Sequence, residues 1–292
     1  KISDIDTSIY EEYRIAKRSE ELKYQMETLQ MNIKDGNRQG EANTLANIGY
    51  LYSSKENYVE AIKYFAKAVK INHEIGGIQG EANQLINLGS TYRLKGDLEK
   101  ALEFCNRGIR LHRKIAYKQG EANALGVMGN VYCDSKNYQE AYNHYKEALD
   151  IYIKTNYKIG EIIQLNNLGN LYFKQEELDK AIPYFKKTLK ICKKTDYKQG
   201  EAEALRGLGN ISVSQKNYGE AFIYYESALS LQNDSTNQKN KVDILVSMGK
   251  AYEQKNERTA ALEKFREALR IANSIEYASA EANIEEIIKR LI

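Results

Sequence analysis

Histidine and cysteine are the residue types in this sequence with the clearest chemical potential. The three histidines, His73, His112 and His144, lie at unrelated offsets and lack the spacing of a metal site. The three cysteines form no C-x-x-C pair. The chain contains no phosphate-binding loop, no nucleophile elbow and no paired-carboxylate motif. We therefore predict that the protein is not an enzyme and binds no cofactor and no metal.

Composition and charge argue against some classes of binding partner. With 292 residues, 42% of them hydrophobic, the chain can bury a long continuous core. Its net charge of +3 and the lack of a basic stripe predict no nucleic-acid binding. The absence of a long apolar run or signal peptide predicts no membrane insertion. An odd number of cysteines favours a reducing, cytoplasmic location. The first residue is Lys1 rather than methionine, which leaves open that the chain is a piece of a longer protein.

One short pattern recurs along the chain: Gly-Glu-Ala, then a leucine and a second glycine. This second glycine recurs every 40 residues, at Gly49, Gly89, Gly129, Gly169, Gly209 and Gly249. An alanine follows each of them twelve residues later, from Ala61 to Ala261. A tyrosine follows three residues after five of the six, with Ser212 as the exception. A fixed period of this size predicts a stack of similar units that contact only their neighbours.

Each unit is predicted to be a pair of antiparallel helices joined by a short turn. In the first unit, apolar residues three and four apart predict a helix over residues 38–54. The pattern breaks at residues 55–57, where Asn57 and Glu60 predict the capping box of a second helix. The same Asn-x-x-Glu sequence recurs at Asn137 and Asn217.

Small residues are predicted where the two helices of a unit cross. A glycine inside a helix costs about 1 kcal/mol relative to alanine, so its recurrence requires a packing reason. Gly49 and Ala61 meet that requirement if they let the two backbones approach closely. A third small position, at Ala68 and its equivalents, is expected to contact the next unit.

These residues resemble the tetratricopeptide repeat (TPR) family over residues 38–277. Glycine, tyrosine, alanine, an aromatic residue and a second alanine stand at the offsets of that family. The 40-residue period exceeds the usual 34, and the proline that ends the second helix of the common repeat is missing. This variant is most similar to the repeats of Leu-Gly-Asn-repeat (Pins-type) adaptors. WD40 blades and HEAT repeats share the period, but the sequence lacks their patterns. The resemblance implies an all-α, right-handed α-α superhelix of stacked antiparallel helix pairs, a TPR solenoid.

The 40-residue period predicts the bounds of the repeats and of the segments that flank them. We predict a degenerate N-terminal cap over residues 1–37, with a capping box at Ser8 and Glu11, and a C-terminal capping helix over 278–292. A polar junction at 232–240 is expected to be the softest point, and Pro183 is expected to kink or loosen its helix. The six repeats are predicted at about 38–77, 78–117, 118–157, 158–197, 198–238 and 239–277.

The resemblance also implies a concave groove lined by the first helices. The residues carried onto it as candidate peptide-binding positions are Asn43, Asn47, Tyr50, Asn83, Asn87, Arg93, Asn123, Asn130, Asn166, Asn167, Asn170, Lys174, Arg206, Asn210 and Lys250. Asparagine dominates this set. Its amide both donates and accepts hydrogen bonds, so a row of asparagines can bind a peptide backbone of any sequence. The alternative is that these amides bond within the array.

Charge in the groove is balanced. Arg93, Lys174, Arg206 and Lys250 are offset by Asp134, Glu203, Asp243 and Glu253. A Lys/Asn clamp for a C-terminal carboxylate is not recognisable. The expected partner is therefore an internal protein segment in an extended or helical conformation.

Two functional hypotheses remain, with a third that is weaker. The first is an adaptor that binds a peptide segment of a partner protein in its concave groove. The second is a regulatory or sensor module of a larger signalling protein. The third is self-association through the terminal helices.

Overall fold

The computed structural model describes residues 20–232 and 238–292, which contain only helices and the turns between them. The helices are α1 (Glu20–Lys34), α2 (Arg38–Ser54), α3 (Tyr58–Glu74), α4 (Ile78–Lys95), α5 (Leu98–Lys114), α6 (Lys118–Asp134), α7 (Tyr138–Lys154), α8 (Lys158–Lys174), α9 (Leu178–Thr195), α10 (Lys198–Ser214), α11 (Tyr218–Ser230), α12 (Gln238–Gln254), α13 (Arg258–Ser274) and α14 (Ala278–Leu291). The predicted all-α class, built from antiparallel helix pairs, is confirmed.

The turns between helices share one backbone conformation. In most of them the middle residue has a positive φ, as in Gly36, Glu56 and Lys136. The next residue donates its N–H to a carbonyl five positions earlier, as from Asn57 to Tyr52 at 2.9 Å. These bonds satisfy carbonyls that the end of a helix leaves unpaired. Among the described residues, the same short turn therefore reverses the chain after most of the helices.

Of the three predicted asparagine caps, two form. Asn57 accepts a hydrogen bond from the Glu60 N–H at 3.2 Å, and Asn137 accepts one from the Glu140 N–H at 3.4 Å. The third prediction is wrong, because Asn217 makes no cap bond to the backbone. Its amide instead donates to the Glu220 carboxylate at 2.9 Å.

The recurring second glycine lies where the paired helices approach. A Cβ at Gly89 would lie 3.0 Å from the Ala101 carbonyl oxygen and 2.5 Å from the Cys105 sulfur. At the third small position, a Cβ on Gly108 would lie 3.1 Å from the Ala82 carbonyl oxygen of the same pair. The nearest neighbours of Gly108 thus belong to the first helix of its own pair, and contact of this position with the next repeat stays a prediction.

The chain divides into two compact units, residues up to 127 and residues from 128 onward, with the boundary inside α6. In the first unit, helices α1 to α5 pack consecutively around a core that includes Ile48 and Phe65. In the second unit, helices α7 to α14 pack consecutively around Phe185, Tyr225 and Phe265. Each unit is thus a stack of helix pairs.

Some expectations fall at the margins of the described residues. The Ser8 capping box and part of the 232–240 junction lie outside them. Helix α9 runs through Pro183 without interruption. Among residues 20–232 and 238–292, no helix combines the length and apolarity that a bilayer crossing requires.

In several repeats, the glycine in the first turn of the first helix makes room for a side chain eight residues earlier, near the end of the preceding helix. A Cβ at Gly120 would lie 2.5 Å from the His112 ring, and one at Gly160 would lie 2.5 Å from the Tyr152 ring. Both rings are buried. The missing side chain of the glycine therefore lets the end of one helix pack closely on the start of the next.

The imidazole ring of His112, which packs against Gly120, makes no hydrogen bond to a described residue. It is fully buried, and neither ring nitrogen is bonded to any described residue. Burial lowers the pKa of His112 below its ordinary value, although the Glu121 carboxylate acts in the opposite direction. The folded chain therefore resists protonation of this ring.

We expect the contribution of His112 to wild-type stability to fall as the pH drops below about 6.5, because the unfolded chain then takes up a proton that folded His112 resists. Above that pH the contribution is fully present. His112→Tyr should remove this component, since Tyr152 fits against Gly160 at the equivalent position. Urea denaturation midpoints at pH about 7.5 and about 5.5 measure the difference.

His73→Tyr is the matched control, because His73 is exposed on the second helix of the preceding repeat. It should keep the wild-type pH dependence. Equal loss of stability on acidification in His112→Tyr and wild type would contradict the assignment.

Candidate interaction surface on the first helices

The candidate site follows the first helix of each pair: α2, α4, α6, α8, α10 and α12. We call the predicted groove residues on these helices, together with Asp134, Glu203, Asp243 and Glu253, the first-helix stripe. In the second unit, α10 contacts both α8 and α12. The parts of the stripe on these three helices are therefore neighbours.

In the first unit, several stripe residues form hydrogen bonds within the array. The Tyr50 hydroxyl donates to Asn87 Oδ1 at 2.8 Å and so connects α2 with α4. Asn87 in turn donates to Gln84 at 2.8 Å, and Asn47 donates to Gln25 at 3.4 Å. Asn43 is exposed and accepts from Gln39 at 3.1 Å. Asn83 and Arg93 are partly buried, and Asn123 is exposed. The side-chain amides of Asn43, Asn47 and Asn87 are thus already engaged in hydrogen bonds within the array.

In the second unit, two stripe asparagines each accept a hydrogen bond from the tyrosine that follows 15 positions later in the sequence. Asn130 accepts a hydrogen bond from the Tyr145 hydroxyl at 2.7 Å, and Asn210 accepts one from the Tyr225 hydroxyl at 2.7 Å. The equivalent of these tyrosines in the α8–α9 pair is Phe185, which has no hydroxyl. Its asparagine, Asn170, has no hydrogen-bond partner among the described residues and is partly exposed.

Asn166 and Asn167 differ although they are adjacent. Asn166 is 2% exposed and donates to the Gly200 carbonyl at 3.0 Å, which fastens α8 to α10. The same nitrogen lies 3.4 Å from Glu203 Oε2, and the Asn166 carbonyl oxygen is buried without a partner in the described residues. Asn167 is partly exposed and bonds along its own helix to Gln164 at 3.3 Å.

The charged stripe residues of the second unit are only partly paired. Glu253 is bound by Arg290 at 2.6 Å, and the Lys174 ammonium lies 3.5 Å from the Cys133 sulfur. Lys250 is exposed, and Arg206 is partly buried with its Nε shielded from solvent. Neither forms an ion pair with a described residue. Two cations of the stripe are therefore available to a ligand.

Two carboxyl groups of this stripe have shifted pKa values. Burial raises the pKa of Glu203, while Arg206, Asn166 and Gln199 act in the opposite direction. Burial also raises the pKa of Asp243, again opposed by Arg206. Sequence reasoning treated these residues only as charge balance and omitted them from the candidate site. The available signal was the change from asparagine in the first three repeats to an acid at this position in the last two.

The chemistry of this surface is that of recognition. It offers amide donors and acceptors, cations and carboxyl groups along adjacent helices. Among residues 20–232 and 238–292, His, Cys, Asp and Glu side chains do not gather into a group that could hold a metal ion.

Comparison of the sequence with models of protein families matches it to two models of one repeat type. A tetratricopeptide repeat model matches residues 80–154 and 161–234, and a second model of the same description matches residues 42–75. No curated protein matches the chain in sequence.

Solved structures with the same fold include several Rap proteins. The apo form of RapI has a TM-score of 0.68 and 16% identity, over 93% of this chain and 99% of that one. A Rap protein complexed with competence and sporulation factor has a TM-score of 0.59 and 14% identity, over 98% and 91%. The Rap conjugation gene regulator of the plasmid pLS20, in complex with the Phr* peptide, has a TM-score of 0.64 and 16% identity, over 88% and 77%. At these identities the likeness concerns the fold.

Proposed function

This chain belongs to the tetratricopeptide repeat family, whose fold is typically a non-catalytic scaffold for protein interaction, and we propose that its first-helix stripe binds a peptide segment of a partner protein. The adaptor activity then consists of holding that segment. No bond in the ligand is made or broken.

The observation that carries this proposal is the set of unengaged polar groups on adjacent helices of the second unit. Asn170, Lys250 and Arg206 lie on α8, α12 and α10, and none forms a hydrogen bond or ion pair through its functional group within the described residues. A peptide backbone presents an N–H and a C=O at nearly every residue and loses water when it binds. Amide and cationic groups on neighbouring helices can replace that lost hydration.

The solved structures of similar fold support the same use. Two of them are complexes, one with competence and sporulation factor and one with the Phr* peptide. A stack of this kind can therefore hold a peptide. The mixed charges of the stripe favour an internal segment, extended or helical, because a free C-terminal carboxylate would require a cationic clamp.

The test is selection from a random peptide library displayed on phage, with the purified chain as target. Selected peptides are synthesised, their affinity is measured by fluorescence anisotropy, and their footprint is mapped by amide hydrogen exchange. We expect protection of α8, α10 and α12. Protection confined to the second helices, or no selected peptide, would overturn the proposal.

A second candidate is a peptide-responsive regulatory module. The similar structures that are named as a gene regulator and as an aspartyl phosphate phosphatase favour it. In that case the selected peptide should also change exchange rates in helices away from its footprint. Changes limited to the footprint would favour the adaptor.

Location in the cytoplasm is part of the proposal and rests on the thiols. Cys105, Cys133 and Cys192 are all buried and free. Burial raises the pKa of Cys105 and of Cys192 to about 12, so these two remain unreactive thiols.

A further inference from the structure

Helix α9 concentrates positive charge far more than the chain as a whole. It contains six lysines and one aspartate, whereas the net charge of the whole chain is +3. Lys180 pairs with Glu177, and Lys187 lies 3.6 Å from Glu161. The other four lysines are exposed and form no ion pair with a described residue. We call these four residues the lysine face: Lys186, Lys190, Lys193 and Lys194.

The lysine face occupies one side of the helix. Its members follow one another at i, i+4, i+7 and i+8, and positions with this spacing lie on the same side of an α-helix. Lys186, Lys190 and Lys194 are therefore about 6 Å apart along the axis from one to the next, at about 1.5 Å per residue. Because α9 is the second helix of its pair, this surface is separate from the first-helix stripe.

The repeat does not require like charges at these positions. Forty residues earlier, the equivalent positions of α7 alternate in sign, and Lys146 pairs with Asp150 at 2.7 Å. In α3, the equivalent Lys70 lies 4.0 Å from Glu74. Opposite charges four residues apart stabilise a helix, and like charges destabilise it by a similar amount. The helix dipole favours cations only in the last turn, so it does not account for Lys190. Helix α9 thus keeps a repulsive arrangement that other second helices avoid.

The charges on the neighbouring second helices restrict the kind of partner. Helices α7 and α11 have acids at positions equivalent to members of the lysine face, namely Asp150 and Glu226. The positive potential is thereby confined to the width of one helix, whereas a bilayer or a DNA duplex would also cover the acidic positions. Proteins that bind single-stranded nucleic acid stack its bases on aromatic side chains, and the lysine face offers none. The pattern therefore favours a single acidic polypeptide segment.

We propose that the lysine face binds an acidic segment of a partner protein. Alternate side chains of an extended chain lie on the same side, about 6.6 Å apart, which is close to the spacing of successive lysines on α9. A segment with aspartate or glutamate at alternate positions can therefore place one carboxylate against each of Lys186, Lys190 and Lys194. Repulsion among the lysines is then replaced by attraction to the ligand. The scaffold gains a second binding surface, on the other helix of the pair from the first-helix stripe.

The test measures the affinity of a fluorescein-labelled peptide in which glutamate and serine alternate over about twelve residues, a length that spans the lysine face when extended. A peptide with glutamine in place of glutamate is the neutral control. Fluorescence anisotropy at about 50 mM salt compares wild type with Lys190→Glu. This variant places a carboxylate four residues from both Lys186 and Lys194, so it reverses one charge and engages its two neighbours.

Lys216→Glu is the matched control variant. It makes the same change of charge at an exposed turn residue of the same unit. The equivalent residues of two other repeats, Glu56 and Glu176, are already glutamates with the same positive φ. The substitution should therefore leave the fold unchanged.

We expect Lys190→Glu to lose affinity for the glutamate peptide about tenfold or more, and Lys216→Glu to bind it like wild type. The affinity of wild type should fall when the salt concentration is raised to about 300 mM, because exposed charges are then screened. The urea denaturation midpoint of Lys190→Glu should equal or exceed that of wild type, since attractive pairs replace repulsive ones. The loss of affinity would then not arise from unfolding.

Equal affinity of Lys190→Glu and wild type, or no binding of the glutamate peptide to wild type, would overturn this assignment. A lower urea midpoint of Lys190→Glu would also overturn it, because the lysines would then serve the fold. Oligodeoxythymidine and vesicles that contain phosphatidylserine are measured in parallel. If either binds wild type more tightly than the peptide and loses affinity for Lys190→Glu, the surface recognises nucleic acid or lipid instead of an acidic protein segment.

Discussion

Gly129→Leu is expected to destabilise the protein strongly. A Cβ at this position would already lie 2.5 Å from the Tyr145 ring and 3.1 Å from its Cγ. Tyr145 is 3% exposed and its hydroxyl is bonded to Asn130, so the ring cannot move aside without losing that bond. Overpacking of a core typically costs about 1–3 kcal/mol, and a leucine beside an immobile ring should reach or exceed the upper end of that range. The urea denaturation midpoint of the purified variant measures the loss.

Gly219→Leu is the matched control for this change. Gly219 lies in the first turn of α11 in the same unit, and an added Cβ would meet nothing within 4 Å. Its midpoint should differ from wild type by less than the equivalent of about 1 kcal/mol, since leucine is the better helix former. Similar midpoints for Gly129→Leu and wild type would mean that the helices do not cross at Gly129.

Replacing Asn167 and Asn170 together with alanine is expected to weaken binding of a library-selected peptide by about 1–3 kcal/mol, if each amide provides a hydrogen bond to the ligand. Stability should hardly change, because Asn170 has no partner among the described residues and Asn167 bonds only along its own helix. Fluorescence anisotropy with the selected peptide and a urea denaturation curve on the same preparation separate the two effects.

Asn130→Ala should behave in the opposite way. Asn130 accepts a hydrogen bond from the hydroxyl of the buried Tyr145, so its loss removes that bond from the core and should cost about 1–3 kcal/mol of stability. Peptide affinity measured where the variant is fully folded should be close to wild type. If Asn167→Ala/Asn170→Ala instead loses stability while binding normally, these asparagines serve the array.

The repeat unit could be predicted from the sequence because its constraints are local and recur. A glycine such as Gly89 is required wherever two backbones approach closely, and Asn57 caps a helix that begins at the next residue. Such signals lie within a few residues of their effect, so their order along the chain predicts helices, turns and helix pairs. At Asn217 the amide nitrogen donates to the Glu220 carboxylate, and the amide oxygen accepts no bond from the start of the helix.

Only the tertiary structure decided which polar residues of the first-helix stripe are available. Asn130 and Asn170 occupy equivalent positions, yet Asn130 is engaged by Tyr145, whereas Asn170 has no hydrogen-bond partner among the described residues. Asn166, predicted as a groove residue, is buried against α10.

The carboxyl groups of Glu203 and Asp243 show the same division between what the sequence determines and what the structure decides. The sequence alone determined that Glu203 and Asp243 share a repeat position, but their common environment arises only when α10 packs on α12. Burial and electrostatic coupling depend on distances in space between residues far apart in the chain. A period in the sequence predicts which residues are equivalent, whereas packing determines how far each is shielded from water and which partner it meets.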